Sequence, residues 1–391
     1  MNRTNNKSAA INLLIYLSVR YEKNWYKDLF RALVETAPNV TVFVIDRPYT
    51  LLASVFSLIK RPKIFVEKDA RIVYLKPLAI VHERIACVIK PLAWLNKWII
   101  EKQIYRTLRD HGKLKGINVS WVFHPYLCPY LDYLDPMVRI YQVYDDYYSV
   151  AKDTRVMHEL ESLILSKVDV VYLISKLLLP RYSLKHKNIK LMPNGVSRKF
   201  AQSGCKDQIY DQISMLRKPR IFCWGYISDR LDLDLVFQLT GENRDWSFVF
   251  LGETMKSFKT KWKSILRQRS NIYYYEKASW RNLSVYLKEM DVCILPYVKN
   301  TFNMASSPVR LYQALATGKP IVTPDFPYCT NFNGLLYLAR TPEEYSAVIK
   351  KILKEGELPD LSSRRVKMAE INSWENKAQM VMQDIVRCLD Y

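Results

Sequence analysis

Apolar residues along this chain fall into short β-branched and aromatic runs, separated by longer stretches where they recur every three or four positions. The runs predict strands buried on both faces, the spaced stretches predict helices, and their alternation predicts α/β layers with parallel sheets. In the first half the strands fall at Ile11–Leu17, Val40–Ile45, Ala70–Leu75, Val119–Phe123, Val138–Val143, Val168–Ile174 and Ile189–Met192. In the second half they fall at Arg220–Cys223, Ser247–Leu251, Ile272–Tyr275, Val292–Leu295, Pro320–Thr323 and Leu335–Leu338. Each set is large enough for one Rossmann-like unit.

The polar stretch Ser197–Lys218 has no strong period and reads as the hinge between the two sets. The expected organisation is an N-terminal Rossmann-like domain over 1–200 and a C-terminal Rossmann-like domain over 201–372. A terminal helix over 373–391 follows, with Trp374, Met380, Met382, Ile385 and Leu389 at helical spacing. It is expected to pack back toward the N-terminal domain. A length of 391 residues with 49% hydrophobic content supports two cores of this size, and 25% charged residues argues against disorder.

Charge changes the picture more than composition does. The formal net charge is +21, and residues 1–120 hold 21 Lys/Arg against 9 Asp/Glu. Such an excess implies an anionic partner or, alternatively, a solvated basic surface. Within it, Leu78–Leu108 mixes Trp94, Trp98 and many aliphatic residues with Lys90, Lys97, Lys102 and Arg106. That mixture fits a helix lying in an anionic membrane interface; the plainer reading is a crossover helix packed on the N-terminal sheet. No uncharged apolar run reaches the roughly 18 residues needed to cross a bilayer, and no signal peptide is visible. The expected location is therefore cytoplasmic, peripheral on the inner face of the cytoplasmic membrane. Seven scattered cysteines (Cys87, Cys128, Cys205, Cys223, Cys293, Cys329, Cys388) form no metal-binding cluster and read as reduced thiols.

The chain lacks a GxGxxG fingerprint, a P-loop, GxSxG and HExxH. Asp232-Leu-Asp234 looks like a metal-binding DxD, but it opens a helix, where acidic residues suit the N-terminal dipole. No metal site and no cofactor are expected.

Four stretches carry the chemistry, in order. Tyr141–Asp146 (YQVYDD) is a strand ending in two carboxylates. Val168–Ser175 (VDVVYLIS) precedes Leu191–Val196 (LMPNGV). Ile221–Arg230 (IFCWGYISDR) precedes Trp246–Gly252 (WSFVFLG). Leu287–Tyr297 (LKEMDVCILPY) precedes Ser306–Pro320 (SSPVRLYQALATGKP). Taken together, these resemble glycosyltransferase family 4, most clearly from Val138 to Thr323. The resemblance implies a GT-B fold of two Rossmann-like domains facing across a cleft. It also implies transfer from a nucleotide-sugar with retention of configuration and without a metal.

The residues support a donor site on physical grounds. Gly225 ends a strand, where a missing side chain allows close approach to the backbone. Arg230 and Arg310 can pair with phosphate oxygens, and Ser306, Ser307 and Pro308 open a helix whose free N–H groups suit an anion. Pro296 follows the strand Val292–Leu295 in the segment that the resemblance assigns to the donor. The chain departs from the family at Ala305, which stands where a glutamate meets the donor sugar. Gln313 stands where a second glutamate accepts ribose hydroxyls, and its amide oxygen is expected to take that part. Tyr226 replaces an arginine, and Ser18-Val19-Arg20 replaces a glycine pair.

In the N-terminal half, His124 and the pair Asp145 and Asp146 end strands, where open α/β sheets place ligands. Either aspartate can orient or deprotonate an acceptor hydroxyl, and His124 can contact the donor sugar or leaving phosphate. The structural alternatives are capping or loop bonds for the aspartates and a backbone-satisfied loop position for the histidine. Asn194-Gly195 reads as a tight turn. The expected reaction is sugar transfer from a nucleotide-sugar to a hydroxyl of a growing glycan, probable lipid linkage of that acceptor following from the basic N-terminal half. A nucleotide-sugar epimerase of the same fold and a catalytically degenerate sugar-nucleotide-binding subunit are the alternatives. A nucleic-acid partner accounts for the charge but for none of the ordered motifs, and is not expected.

Overall fold

The computed structural model describes residues 9–18, 26–50, 63–66, 71–86, 88–149 and 154–390. Cys87, Val19 and Arg20 lie outside the described residues. The chain forms two compact units, one running to Pro193 and resuming at Trp374, the other spanning Asn194–Ser373. The polar segment Ser197–Lys218 lies inside the second unit, where Gln208–Ser214 is helical and Asp207 caps that helix.

The first unit contains β1 (Ile11–Tyr16), β2 (Val40–Ile45), β3 (Tyr49–Thr50), β4 (Lys63–Val66), β5 (Ile72–Lys76), β6 (Leu78–Ala79), β7 (Ile117–Val122), β8 (Val138–Val143), β9 (Val170–Leu173) and β10 (Ile189–Leu191). Its main sheet has the order β10-β9-β8-β7-β1-β2-β5-β4, parallel except for β4, which pairs antiparallel with β5 at one edge. β3 and β6 form a separate two-stranded ribbon. The expected strands are present, several with shifted ends; β3, β4 and β6 were not expected, being only two to four residues long. The strand order reverses between β1 and β7, so their carboxyl ends flank this unit's ligand crevice.

β1 and β2 are buried along their whole length, as the unbroken apolar runs predict. The helix Lys27–Thr36 buries Leu29, Phe30, Leu33 and Val34, and Tyr26 just before it packs on Trp374, with ring centres 5.1 Å apart. The terminal helix Trp374–Asp390 belongs to this unit. Its buried Asp384 accepts from the Tyr172 hydroxyl at 2.8 Å and pairs with Lys190, which ties the chain's end to β9 and β10. A second buried carboxylate, Glu161, accepts from the hydroxyls of Tyr141, Tyr148 and Tyr182. These bonds meet the desolvation cost of a buried charge.

The second unit contains β11 (Arg220–Trp224), β12 (Ser247–Leu251), β13 (Ile272–Tyr275), β14 (Val292–Ile294), β15 (Ile321–Thr323) and β16 (Tyr337–Leu338). They pair in parallel in the order β13-β12-β11-β14-β15-β16. This is the doubly wound order of a dinucleotide-binding fold, with its reversal between β11 and β14. Asp232 caps the helix Leu233–Glu242 by accepting from the N–H groups of Asp234 and Leu235, and Asp234 pairs with Lys261 at 2.9 Å. The DxD look-alike thus serves as a helix start. Cys223 and Cys293 sit side by side in the core, where burial pushes their thiols up to about 11 and about 12. Such thiols are poor nucleophiles at neutral pH.

Candidate functional site

The reversal between β11 and β14 puts Gly225 and the segment Pro296-Tyr297 side by side at the carboxyl edge of the second unit. The loop carrying Arg230 is laced to the segment after β14. The Asp232 N–H donates to the Pro296 carbonyl at 2.8 Å, and the Val298 N–H to the Arg230 carbonyl at 3.0 Å. Pro296 therefore acts through its carbonyl, holding the arginine loop in place.

Arg230 and Arg310 both lie against Tyr297, with guanidinium carbons 5.4 and 5.5 Å from the ring centre. Arg230 also lies over Phe302 at 4.8 Å. The buried Asn303 fixes its direction: Oδ1 accepts from Nε at 2.8 Å, while Nδ2 donates to the Arg230 and Val298 carbonyls. Arg310 donates to the Tyr226 carbonyl at 3.0 Å. Among the described residues neither arginine has a carboxylate partner, and Nη2 of Arg230 and Nη1 of Arg310 are shut off from water without a hydrogen bond. Two neighbouring cations held by aromatic faces and carbonyl or amide oxygens, with unmet donors, have the chemistry to pair with a multiply charged oxyanion.

Gly225 has a positive φ of 102°, and its N–H donates to the Leu251 carbonyl at 2.8 Å. Its own backbone donor is therefore engaged within the sheet. What the missing side chain admits is Arg310: a Cβ at Gly225 would lie 2.3 Å from Nε and Nη2 of that guanidinium.

The helix Val309–Ala316 starts behind Pro308, which occupies the N-cap rather than the first turn. Its opening N–H groups have no side-chain cap. The hydroxyls expected to add donors are buried and engaged. Ser306 donates to the Asn303 carbonyl at 2.8 Å, and Ser307 bonds Tyr312 and accepts the Asn194 N–H. Ala305 is buried. Gln313 accepts from the Trp224 indole N–H at 2.8 Å, so its amide oxygen, expected to meet ribose, already has a partner. Its amide N–H groups are the more available half.

In the first unit the carboxyl edge carries His124 after β7 and Asp145-Asp146 after β8. His124 accepts the Tyr126 N–H at 3.2 Å through Nδ1 and stacks on that ring, so it caps the turn Pro125–Tyr130. Asp146 is buried and pairs with Arg181 at 2.6 Å, a structural bond from the segment after β8 to the short helix Leu179–Ser183. Ser18 reaches this edge as well, bonding the Tyr144 hydroxyl at 2.9 Å.

The helix Lys90–Asp110 buries Asn96, Ile100, Ile104, Thr107 and Leu108. Its opposite side holds Trp94, 67% exposed, and Trp98, 46% exposed, with Lys90, Lys102 and Arg106 also exposed. Lys102 lies over the Trp98 ring at 3.9 Å, whereas Lys97 is half-buried and pairs with Glu101 at 3.8 Å. The crossover reading is thus right for one face, and the aromatic and basic residues occupy the other. Among the described residues no helix is long and apolar enough to cross a membrane, and no three His, Cys, Asp or Glu side chains gather to hold a metal ion.

Sequence reasoning missed Asn303, Phe302, Trp224 and the part played by Tyr297. None carries a charge, and only the fold brings Asn303, Phe302 and Tyr297 to the arginines and Trp224 to Gln313.

This architecture defines a class. The fold is similar along nearly the whole chain to sucrose-phosphate synthase from Thermosynechococcus elongatus, with a TM-score of 0.71 at 12% identity, covering 97% of this chain and 98% of that one. It is similar to the E. coli trehalose-6-phosphate protein bound with UDP-2-fluoro glucose, with a TM-score of 0.67 at 11% identity and 97% and 99% coverage. It also resembles Anabaena HepE in complex with UDP, with a TM-score of 0.66 at 9% identity and 97% and 100% coverage. The chain has the GT-B fold. Residues 226–355, which hold both arginines and the helix start, match the family Glycosyl transferases group 1. The putative teichuronic acid biosynthesis glycosyltransferase TuaH of Bacillus subtilis (strain 168) is 22% identical over 163 residues, 41% of each protein. The aligned stretch thus spans less than half of that relative.

If Gly225 is there to admit Arg310, Gly225→Ala will displace the guanidinium as well as strain the backbone by about 1–3 kcal/mol. UDP affinity measured by calorimetry should fall at least tenfold in a variant that still folds. An unchanged affinity would show that Arg310 does not need its seat on Gly225.

Proposed function

We propose that the chain transfers a sugar from a nucleotide-sugar to a hydroxyl of a growing, lipid-linked polysaccharide or oligosaccharide, with retention and without a metal. The observation that carries this reading is the pair Arg230 and Arg310, unpaired by any carboxylate among the described residues and set at the strand reversal of the second unit. Bond cleavage leaves negative charge on the departing nucleoside diphosphate, and fixed cations there stabilise it most in the transition state. The arginines and the helix start supply the charge that a metal supplies elsewhere. The nucleotide-sugar is a substrate, and no cofactor takes part.

A polysaccharide acceptor is supported by the likeness to a relative named for teichuronic acid biosynthesis. Lipid linkage and a place on the inner face of the cytoplasmic membrane are supported by the exposed Trp94 and Trp98 among basic residues. Asp145, at the carboxyl edge of the first unit, is proposed to orient the acceptor hydroxyl. A second reading, a sugar-nucleotide-binding subunit without turnover, is favoured by Ala305, whose methyl group cannot hydrogen-bond a sugar.

Incubation with a panel of nucleotide-sugars separates the two readings. We expect slow donor hydrolysis in the wild type, reduced at least tenfold in Arg230→Ala and in Arg310→Ala. Each removes a charge-assisted phosphate bond, an interaction of about 1.5–3 kcal/mol. Tight nucleotide binding with no hydrolysis of any donor would favour the subunit; wild-type rates in both variants would remove the arginines from the donor site.

The membrane claim has its own test. Binding to anionic liposomes should be strong at low salt and weaken as salt is added, at about 1 kcal/mol for each basic residue near the surface. Changing Lys90, Lys102 and Arg106 to glutamine should cut binding sharply, whereas Lys97→Gln should matter less because of Glu101. Trp94→Ala and Trp98→Ala should lower binding without lowering the melting temperature, since both rings project into water. Indifference of the wild type to such liposomes would point to a soluble acceptor.

A further inference from the structure

A diphosphate cradle alone does not select a nucleotide, and the same edge carries an aromatic side chain that the phosphate contacts leave unused. Trp280 follows β13 and is 50% exposed. Its Cη2 lies 3.3 Å from where a Cβ on Gly252 would be, so the indole leans across that glycine. Gly252 has a φ of 129°, and a Cβ there would also lie 2.4 Å from the Gly225 carbonyl oxygen. Gly225 in turn seats Arg310. Arg310, Gly225, Gly252 and Trp280 therefore form one line of close contacts along the carboxyl edge, from the phosphate-binding cation to an open aromatic face.

The line is held rigidly. The Gly252 N–H donates to the Tyr275 carbonyl at 3.0 Å, and the Tyr274 hydroxyl donates to the Gly252 carbonyl at 2.8 Å. The Ile227 N–H donates to the Glu253 carbonyl, and the Met255 N–H returns to the Ile227 carbonyl. Neighbouring strands lie about 4.8 Å apart, so Gly252 is one strand spacing from Gly225 and the indole stands one side chain further. That offset suits a ribose between a diphosphate on Arg310 and a base at Trp280.

We propose that Trp280 is the stacking wall for the nucleobase of the donor and so the residue that distinguishes a nucleotide from a bare diphosphate. This rests on the donor-site reading above. Every base offers a π-face, so the indole supplies affinity for the nucleoside moiety, while the arginines supply affinity for the phosphates.

The test compares two ligands. Wild type is titrated by calorimetry with UDP, ADP, GDP and dTDP, and the tightest is carried forward beside inorganic pyrophosphate. Trp280→Ala should weaken the nucleotide about tenfold or more and leave pyrophosphate unchanged, and Trp280→Phe should recover most of the loss. Equal nucleotide affinity in Trp280→Ala, or an equal loss for pyrophosphate, would overturn the proposal; the latter would make Trp280 a support for the loop. A wild type that binds pyrophosphate as tightly as every nucleotide would overturn it while leaving the cation site standing. A wild type that binds neither would remove the donor-site reading, and this proposal with it.

Discussion

Two guanidinium groups resting on one buried tyrosine, with no carboxylate partner among the described residues, set the terms for the second unit. Like charges brought together and partly withdrawn from water raise the free energy of the empty site. Tyr297 and Phe302 soften that cost through their ring faces, and Asn303 and the Tyr226 carbonyl supply acceptors. The remaining deficit is removed by an anion. The lacing of Asp232 to Pro296 and of Val298 to Arg230 and the absent side chain at Gly225 keep those two cations in place.

The same constraint gives meaning to the departures from the family pattern. With Tyr226 in place of an arginine, the proposed donor site has Arg230 and Arg310 as its phosphate cations. In that proposal Gln313, tied to Trp224 through its amide oxygen, offers N–H groups where the family presents a carboxylate. A neutral group there leaves the positive potential of the arginine pair undiminished. Ala305 removes a donor-sugar contact, and the sugar must then be recognised by groups outside this short segment.

Much of this was legible in the sequence because buried parallel strands are written as unbroken apolar runs. β12, β13 and β8 fall where those runs predict, and β1, β7 and β9 differ only at their ends. The short strands β3, β4 and β6 carry no such run, and their pairing depends on the neighbours that tertiary structure provides. Charged site residues were equally legible: Arg230 and Arg310 stand out beside a strand-end glycine and a helix start. What the sequence hides is which polar groups are already taken. Ser306, Ser307, Gln313 and Asp146 look available as residue types, yet each is bonded to a side chain or carbonyl distant in sequence or folded back upon it. The uncharged supports Asn303 and Tyr297 become visible only when the loop after β14 is folded against Arg230.

The central claim is that two cations await two phosphates, and the affinity difference between UDP and UMP tests it most directly. Both carry the same base and ribose, so stacking and ribose contacts cancel in the comparison. The account predicts that UDP binds at least tenfold more tightly than UMP in calorimetric titration at moderate salt, because only the diphosphate engages both guanidiniums. Equal affinities for the two nucleotides would contradict it.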